Sequence, residues 1–444
     1  MIPAVPGERW QSRTTFVLAM AIATVGLGNL WRFAWLMGEN GGGPFVLSYL
    51  FCLFCVGVPI LSAEIMLGTH GRGSPVSSIL WTASVADRSY LWSVIAVLAG
   101  MGALLLLVLC LLVAGWALLY AFHQQLGSFA ASSSDRVADF LTQQVAAPAR
   151  LIAAQAAAAA VVGVLGLAGI RRGLGAYAWL AVPMVVWLLG VLVAYALDFG
   201  DLEGAGKFLF AWQTLDFDGA SFLAALGHAL FTLSVGAAIG MTFGAYAPDK
   251  VPVVRSVIAV ALFDFVVAVA VGVAIYPILV EANVLPARDF ALLFVAVPFA
   301  YGAMPFGDFY GALVFLLVAM VALGSCAALI EPVVSVLEQQ FRQSRRLAVP
   351  GVVGLAWLLS CVVVLGLADG GSALVWINKA TGYALIPLAM FLIALFVGWA
   401  LPEGLLRQEL SREPQVLFRV WYFLLRFVAA PVILFAWIWM VLVP

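Results

Sequence analysis

The stretch TTFVLAMAIATVGLGNLWRFAWLM, residues 14–37, decides how this chain is read. It is apolar and long enough to cross a bilayer's hydrocarbon core, which takes roughly 20 helical residues. Its middle, Val25-Gly26-Leu27-Gly28-Asn29, nevertheless holds two glycines and an amide side chain. Each Gly costs roughly 1 kcal/mol relative to Ala inside a helix. A second stretch of the same kind, Thr232-Leu233-Ser234-Val235-Gly236, lies midway along residues 220–246. Unwound backbone leaves N–H and C=O groups bare, and within a membrane it survives only where it lines a cavity or is buried in protein. Half-helix N-termini at such a break attract an anionic group, while freed carbonyls and side-chain oxygens coordinate a cation. Packing through small residues is the alternative for a single glycine pair. Two such breaks, five spans apart, favour a site.

Composition agrees with a membrane setting. Of 444 residues, 65% are hydrophobic and 10% charged, against about 45–50% and 25% in ordinary soluble domains. Apolar stretches near 14–37, 43–67, 91–122, 150–169, 175–197, 220–246, 254–280, 309–340, 350–368, 375–399 and 418–443 predict an all-α membrane protein of eleven transmembrane helices. These form one domain over 1–444: a five-helix repeat at 14–197, an inverted second repeat at 220–399 and an eleventh helix at 418–443, with the first and sixth helices broken. Basic residues such as Arg72, Arg88, Arg171, Arg172, Arg342, Arg345 and Arg346 gather on one side. By the positive-inside rule that side is cytoplasmic, which puts the N-terminus inside and the C-terminus outside an inner (plasma) membrane. The longest outer loops are 123–149 and 281–308, the second expected to fold back as a short helical hairpin.

Other function classes find little support. The 21 basic and 22 acidic residues nearly cancel, leaving no footprint for nucleic acid. The five cysteines lie in apolar stretches, and Cys52-x-x-Cys55 has no second pair or histidine beside it. His70, His123 and His228 stand in no metal-binding spacing and accompany no nucleophile motif, so an enzyme is not expected, nor an organic cofactor. The charges that the topology buries, Arg32, Glu64, Asp264 and Glu331, are costly in hydrocarbon and are functional candidates. Glu64 is expected to accept N–H groups freed by an unwound neighbour, and Glu331 to reach water at the cytoplasmic end of its span.

Leu27-Gly28-Asn29-Leu30-Trp31-Arg32-Phe33, followed by Glu39-Asn40-Gly41-Gly42-Gly43, resembles the signature of the neurotransmitter:sodium symporters. Gly57-x-Pro59 with Glu64, Gly115-Trp116 and Phe231-Thr232-Leu233-Ser234 extend the likeness, and the order of spans makes it nearly full-length, as in bacterial eleven-helix amino-acid transporters. The resemblance implies a secondary transporter that imports a small solute with one or two Na+ ions, as a monomer or homodimer in the lipid bilayer. It places one sodium at the Thr24 carbonyl, Asn29, Thr232 and Asp264, hard oxygen donors suited to a hard cation. A second sodium falls to the carbonyls of Ile22, Val25 and Val321 with the Ser325 hydroxyl. The solute falls against the Leu27 and Gly28 amides, with Leu106, Cys110, Phe231, Thr232, Ser234, Ala237, Ser325 and Leu329 around it. Gating falls to Arg32, Asn378, Phe231 and His228 outside, and to Trp10 and Tyr246 inside.

The chain departs from the family pattern at several of these positions. Cys110 stands for a tyrosine that holds the solute carboxylate, Gly324 for an oxygen ligand of the second sodium, and Asn378 for the aspartate that pairs with Arg32. Gly26 stands where amine transporters carry an aspartate, which argues against a monoamine. His228 replaces a glutamine and is expected to be a neutral, hydrogen-bonding histidine. At the inner gate Gly7 and Gln339 replace an arginine and an aspartate, with Arg9 and Glu338 adjacent as substitutes. The expected function is sodium-coupled import of a neutral, hydrophobic amino acid. The alternatives are another small zwitterion or carboxylate with reduced sodium coupling, or a transporter-derived channel or sensor.

Overall fold

The computed structural model describes residues 8–212, 217–249, 251–284, 289–368 and 370–442, and apart from one isolated bridge, Gly42 with Trp212, these residues form helices and turns. In chain order the helices are α1 (Arg13–Thr24), α2 (Arg32–Glu39), α3 (Gly43–Gly71), α4 (Pro75–Val85), α5 (Tyr90–Gln125), α6 (Ser134–Ala146), α7 (Ala149–Leu167), α8 (Ile170–Phe199) and α9 (Leu202–Leu209). They continue as α10 (Gly219–Thr232), α11 (Ile239–Ala245), α12 (Val253–Glu281), α13 (Leu292–Gly302), α14 (Gly307–Gln340), α15 (Arg345–Leu365), α16 (Ser372–Ala400), α17 (Glu403–Glu409) and α18 (Gln415–Trp439). Nine of these, among the described residues, are long and apolar enough to cross a membrane. α1 and α10 are apolar but too short to cross alone.

Side chains at the helix starts explain several boundaries. The Ser12 hydroxyl accepts Thr15 N–H at 3.1 Å, and the Asp201 and Asp218 carboxylates accept Gly204 and Ser221 N–H, both at 2.9 Å. Each satisfies a donor with no partner inside its own helix. Prolines explain local widening. Five of the six π-turns among the described residues (53–57, 292–296, 380–385, 396–400 and 424–429) end two residues before a proline. A proline lacks the N–H that closes the turn and its ring presses on the carbonyl four residues back, so a wider turn relieves the contact.

α5 and α14 lie along each other, with α7 and α15 packed against both and α8 against α14. The outer surface is apolar: Met101, Trp187, Val266, Leu358 and Val362 are exposed, as hydrocarbon-facing side chains should be. Within 281–308, residues 285–288 lie outside the described residues, and the remainder supplies the single helix α13 where a helical hairpin was expected. The outer loop 123–149 carries α6, a helix not foreseen there.

Candidate functional site

The two interruptions meet in the middle of the bundle. α1 ends at Thr24; Val25 (φ −59°, ψ 88°) and Gly26 (φ −95°, ψ 176°) leave helical space, Leu27–Leu30 forms one turn, and Trp31 kinks the chain before α2. The unwound part is therefore shorter than the 25–29 expected, because Asn29 N–H closes a turn on the Gly26 carbonyl at 3.1 Å. Between α10 and α11, Ser234 (φ +53°), Gly236 (φ +80°) and Ala238 (φ +58°) take left-handed conformations. Such conformations are unfavourable for non-glycine residues and persist where the surroundings hold them. The Ser234 hydroxyl donates to the Ala23 carbonyl at 3.0 Å, tying one break to the other rather than only facing a solute. Gly236 N–H donates to Glu64 Oε2 at 3.1 Å from wholly buried Glu64 on α3. A Cβ on Gly236 would lie 2.9 Å from the Ile386 carbonyl, so this position needs glycine for space as well as for φ.

Beside the junction stands a cluster of oxygens. Asn29 Nδ2 donates to Asp264 Oδ1 at 2.7 Å. Thr232 Oγ1 lies 2.9 Å from Asn29 Oδ1 and 2.8 Å from Asp264 Oδ2. The structure thus joins the broken first segment, the end of α10 and the middle of α12. Tyr49 of α3, absent from the sequence reading, brings its hydroxyl to 3.5 Å from Asp264 Oδ2. Asn29 and Asp264 have no exposed surface, and Thr24, next to the break, is equally buried with its hydroxyl turned back to the Ala21 carbonyl at 3.2 Å. No basic side chain pairs with Asp264 among the described residues. An unpaired buried carboxylate is penalised by several kcal/mol. A hard cation would offset that, and these are the oxygen donors such an ion takes.

The second group of cation candidates is sparser. Ile22 and Val25 lie at the end of α1, Val321 and Ser325 on α14. The Ser325 hydroxyl is buried without a hydrogen-bond partner. A Cβ at Gly324 would fall 2.5 Å from Ile22 Cγ1 and 3.2 Å from Tyr177 Cε1, so Ile22 occupies the room a larger residue would need. Among the solute candidates, Leu106 and Cys110 come from α5, Ser325 and Leu329 from α14, Phe231 from the end of α10, Ala237 from the second break, and Leu27 and Gly28 from the turn after the first. His228 sits under Gly28: a Cβ there would meet His228 Cε1 at 3.2 Å. Its ring packs against Phe33 and Tyr49, each 5.5 Å away between centroids, and Nε2 has no hydrogen-bond partner among the described residues.

Residues 7–133 and 137–444 match the sodium:neurotransmitter symporter family. The chain belongs to that family. It is similar to the uncharacterized sodium-dependent transporter YhdH of Bacillus subtilis, 28% identical over 433 residues, covering 95% of this chain and 94% of the relative. An uncharacterized sodium-dependent transporter of Haemophilus influenzae is 24% identical over 448 residues, 96% of each chain. Among solved structures, the crystal structure of MhsT in complex with L-phenylalanine superimposes with a TM-score of 0.87 at 28% identity, covering 97% of this chain and 99% of MhsT. This symporter is thus a multi-pass membrane protein and a sodium-dependent transporter, not an enzyme.

The gate positions of the symporter differ from the sequence reading. Arg32 is exposed, not buried: it follows the kink at Trp31, which carries it out of the packed interior. It forms no ion pair among the described residues, and Asn378 is exposed as well. On the other side, Trp10 N–H donates to the Tyr246 carbonyl at 2.9 Å, Trp10 Nε1 donates to the Phe243 carbonyl at 3.0 Å, and the two rings meet edge-on at 5.2 Å. Arg9 pairs with Asp249 at 2.9 Å, and Arg72 reaches the same carboxylate at 3.3 Å and the Ala247 carbonyl. The substitute pair expected, Arg9 with Glu338, does not form. Glu338 lies 3.6 Å from Arg345, whose guanidinium also pairs with Glu331. Glu331 is therefore buried and paired rather than reaching water. Gln339 accepts Ser74 N–H at 2.7 Å, and Gly7 lies outside the described residues.

Proposed function

We propose that the chain is a sodium-coupled importer of a neutral, hydrophobic amino acid working by alternating access. The observation that carries the reading is the Asn29–Thr232–Asp264 cluster, a buried carboxylate with no basic partner among the described residues where two broken helices meet. One sodium ion held there neutralises Asp264 and draws together the Leu27–Leu30 turn, the end of α10 and α12. The solute sits on the amides of that same turn, at Leu27 and Gly28. Ion and solute then order one segment, and each raises the other's affinity by the same factor. Each broken helix, counted with its second half, gives one crossing. Eleven crossings follow, arranged as inverted repeats over 14–197 and 220–399 with an eleventh helix after them, in the inner membrane with the N-terminal segment cytoplasmic.

The apolar character of Leu106, Phe231 and Leu329, each packed in or against the core, supports a hydrophobic side chain, as does the likeness to MhsT, whose structure holds L-phenylalanine. Ile22 filling the space beside Gly324 favours a weak second ion site, held by carbonyls of Ile22, Val25 and Val321 with Ser325 alone among side chains. Inward transport ends when the contacts of Trp10, Arg9 and Arg72 with residues 243–249 open. Uptake of radiolabelled L-phenylalanine and L-leucine into proteoliposomes, with and without an inward sodium gradient, tests the proposal. Saturable uptake that disappears without sodium supports it; uptake indifferent to sodium, or none for any neutral amino acid, overturns it.

A further inference from the structure

Arg419 and Arg426 are the only charged residues of the membrane-crossing helix α18. An arginine in such a helix ordinarily meets an acid or a backbone carbonyl. Arg426, about three turns into α18, has no carboxylate partner among the described residues. Its guanidinium carbon instead stands 4.5 Å from the centre of the Trp399 ring, 5.4 Å from that of Phe427 and 5.9 Å from that of Tyr422. Nη1 donates to the Tyr422 hydroxyl at 3.1 Å, while Nε is buried without a hydrogen-bond partner and Nη2 donates to no described residue. Trp399 and Phe427 are each 52% exposed, so this corner opens onto the bilayer.

A second arginine reaches the same corner. Arg88, exposed in the turn between α4 and α5, donates from Nε to the Ala400 carbonyl at 2.6 Å. Trp399, the residue before Ala400, donates from its indole to the Arg426 carbonyl at 3.2 Å. The last two residues of α16 therefore anchor both arginines. Asp87, beside Arg88, and Glu403, just beyond Ala400, are exposed and pair with neither among the described residues. Aromatic faces attract a cation but carry no net charge, so two positive charges stand here without a counterion from the chain.

We propose that Arg426 and Arg88 together bind the phosphodiester of an anionic phospholipid, whose acyl chains cover the exposed rings of Trp399 and Phe427. The planar guanidinium presents its donors in a fork that matches phosphate oxygens, and basic pockets between membrane helices hold anionic headgroups. A zwitterionic lipid offers the same phosphate but brings an ammonium beside two arginines, so phosphatidylglycerol is preferred to phosphatidylcholine. Free phosphate offers the oxygens without the hydrocarbon that would cover the two rings.

The test uses the full-length protein in detergent, freed of native lipid, with palmitoyl-oleoyl-phosphatidylglycerol and its phosphatidylcholine counterpart titrated by native mass spectrometry. The expected result is one phosphatidylglycerol per chain held about tenfold more tightly than phosphatidylcholine, the scale of one hydrogen bond to a charged group. Arg426→Gln should erase that preference, and so should Arg88→Gln, which alters only an exposed turn and decides the matter where the first variant does not fold. Arg346→Gln, which removes an exposed charge from α15, should keep it. No preference in the parent, a preference undiminished by Arg426→Gln or Arg88→Gln, or one lost equally with Arg346→Gln overturns the site. Inorganic phosphate in excess should leave the bound lipid in place; its displacement of the lipid one for one would overturn the lipid in favour of free phosphate. Sodium and amino acids are left out throughout, so the outcome does not depend on the transport reading.

Discussion

Replacing Asp264 by asparagine removes one negative charge from the oxygen cluster while keeping an oxygen of similar reach. Asp264 accepts from Asn29 at 2.7 Å and from Thr232 at 2.8 Å, and no basic side chain pairs with it among the described residues. Opposite charges about 4 Å apart attract by about 4 kcal/mol at an effective dielectric constant of roughly 20. The amide oxygen still coordinates, so a net loss of about 3 kcal/mol is reasonable, a roughly hundredfold weaker sodium affinity. Thermal unfolding of purified protein reads this directly when NaCl is exchanged for choline chloride at constant ionic strength. A ligand at a hundred times its dissociation constant stabilises the folded state by about 2.7 kcal/mol. After a hundredfold loss of affinity the same concentration gives about 0.4 kcal/mol. Asp264→Asn should thus lose most of the sodium-induced rise in melting temperature. In choline it should be at least as stable as the parent, because an unpaired buried charge has been removed. A variant that keeps the full sodium response would refute the assignment of Asp264 to the cation.

Three further changes probe the surrounding contacts. Gly324→Ser should destabilise by about 1–3 kcal/mol, since its Cβ would lie 2.5 Å from Ile22 Cγ1; Ile22→Ala in the same protein should recover the loss and strengthen sodium binding, read by melting against sodium concentration. Glu64→Ala strips the acceptor from Gly236 N–H and should cost about 1–3 kcal/mol, whereas Glu64→Gln should cost less because an oxygen remains, the two being compared by melting temperature. Asp249→Asn removes the carboxylate shared by Arg9 and Arg72 and, at an exposed site, should change global stability by about 1 kcal/mol or less. It should still speed hydrogen exchange at Trp10 N–H, which is held by the Tyr246 carbonyl; unchanged exchange would show that the ion pairs do not secure the N-terminal segment.

The two breaks were legible because glycine and polar residues in the middle of an apolar span oppose local preference, and hydrocarbon gives such a sequence few outlets. What lay beyond reach was relational. Arg9 and Asp249 are 240 residues apart, and nothing local distinguishes Asp249 from Glu338 as a partner. Tyr49 shares the buried face of α3 with Phe45 and Cys52, and only the packing of α12 against it shows that its hydroxyl meets Asp264. The exposure of Arg32 depends on a kink at Trp31 that no propensity announces. Glu331 was expected to find water because its span nears its end there, but the turn after α14 returns Arg345 to it.

Gly324 shows how a departure from a family pattern changes meaning once neighbours are visible. Read along the chain, it is one missing ligand oxygen, and a single substitution should restore it. In the structure the vacated volume belongs to Ile22, whose own carbonyl is a candidate ligand of the same ion and whose side chain sits where the missing group would stand. The two positions therefore constrain each other. An oxygen at 324 requires a smaller residue at 22, and Ile at 22 requires glycine at 324. Weak second-ion binding, as proposed above, would then be a property of the pair, maintained by the packing of Ile22 against Gly324. On the proposed reading, the first site uses a carboxylate that no basic side chain neutralises among the described residues, whereas the second has lost room to hydrocarbon. That division is what a transporter driven chiefly by one sodium ion would need.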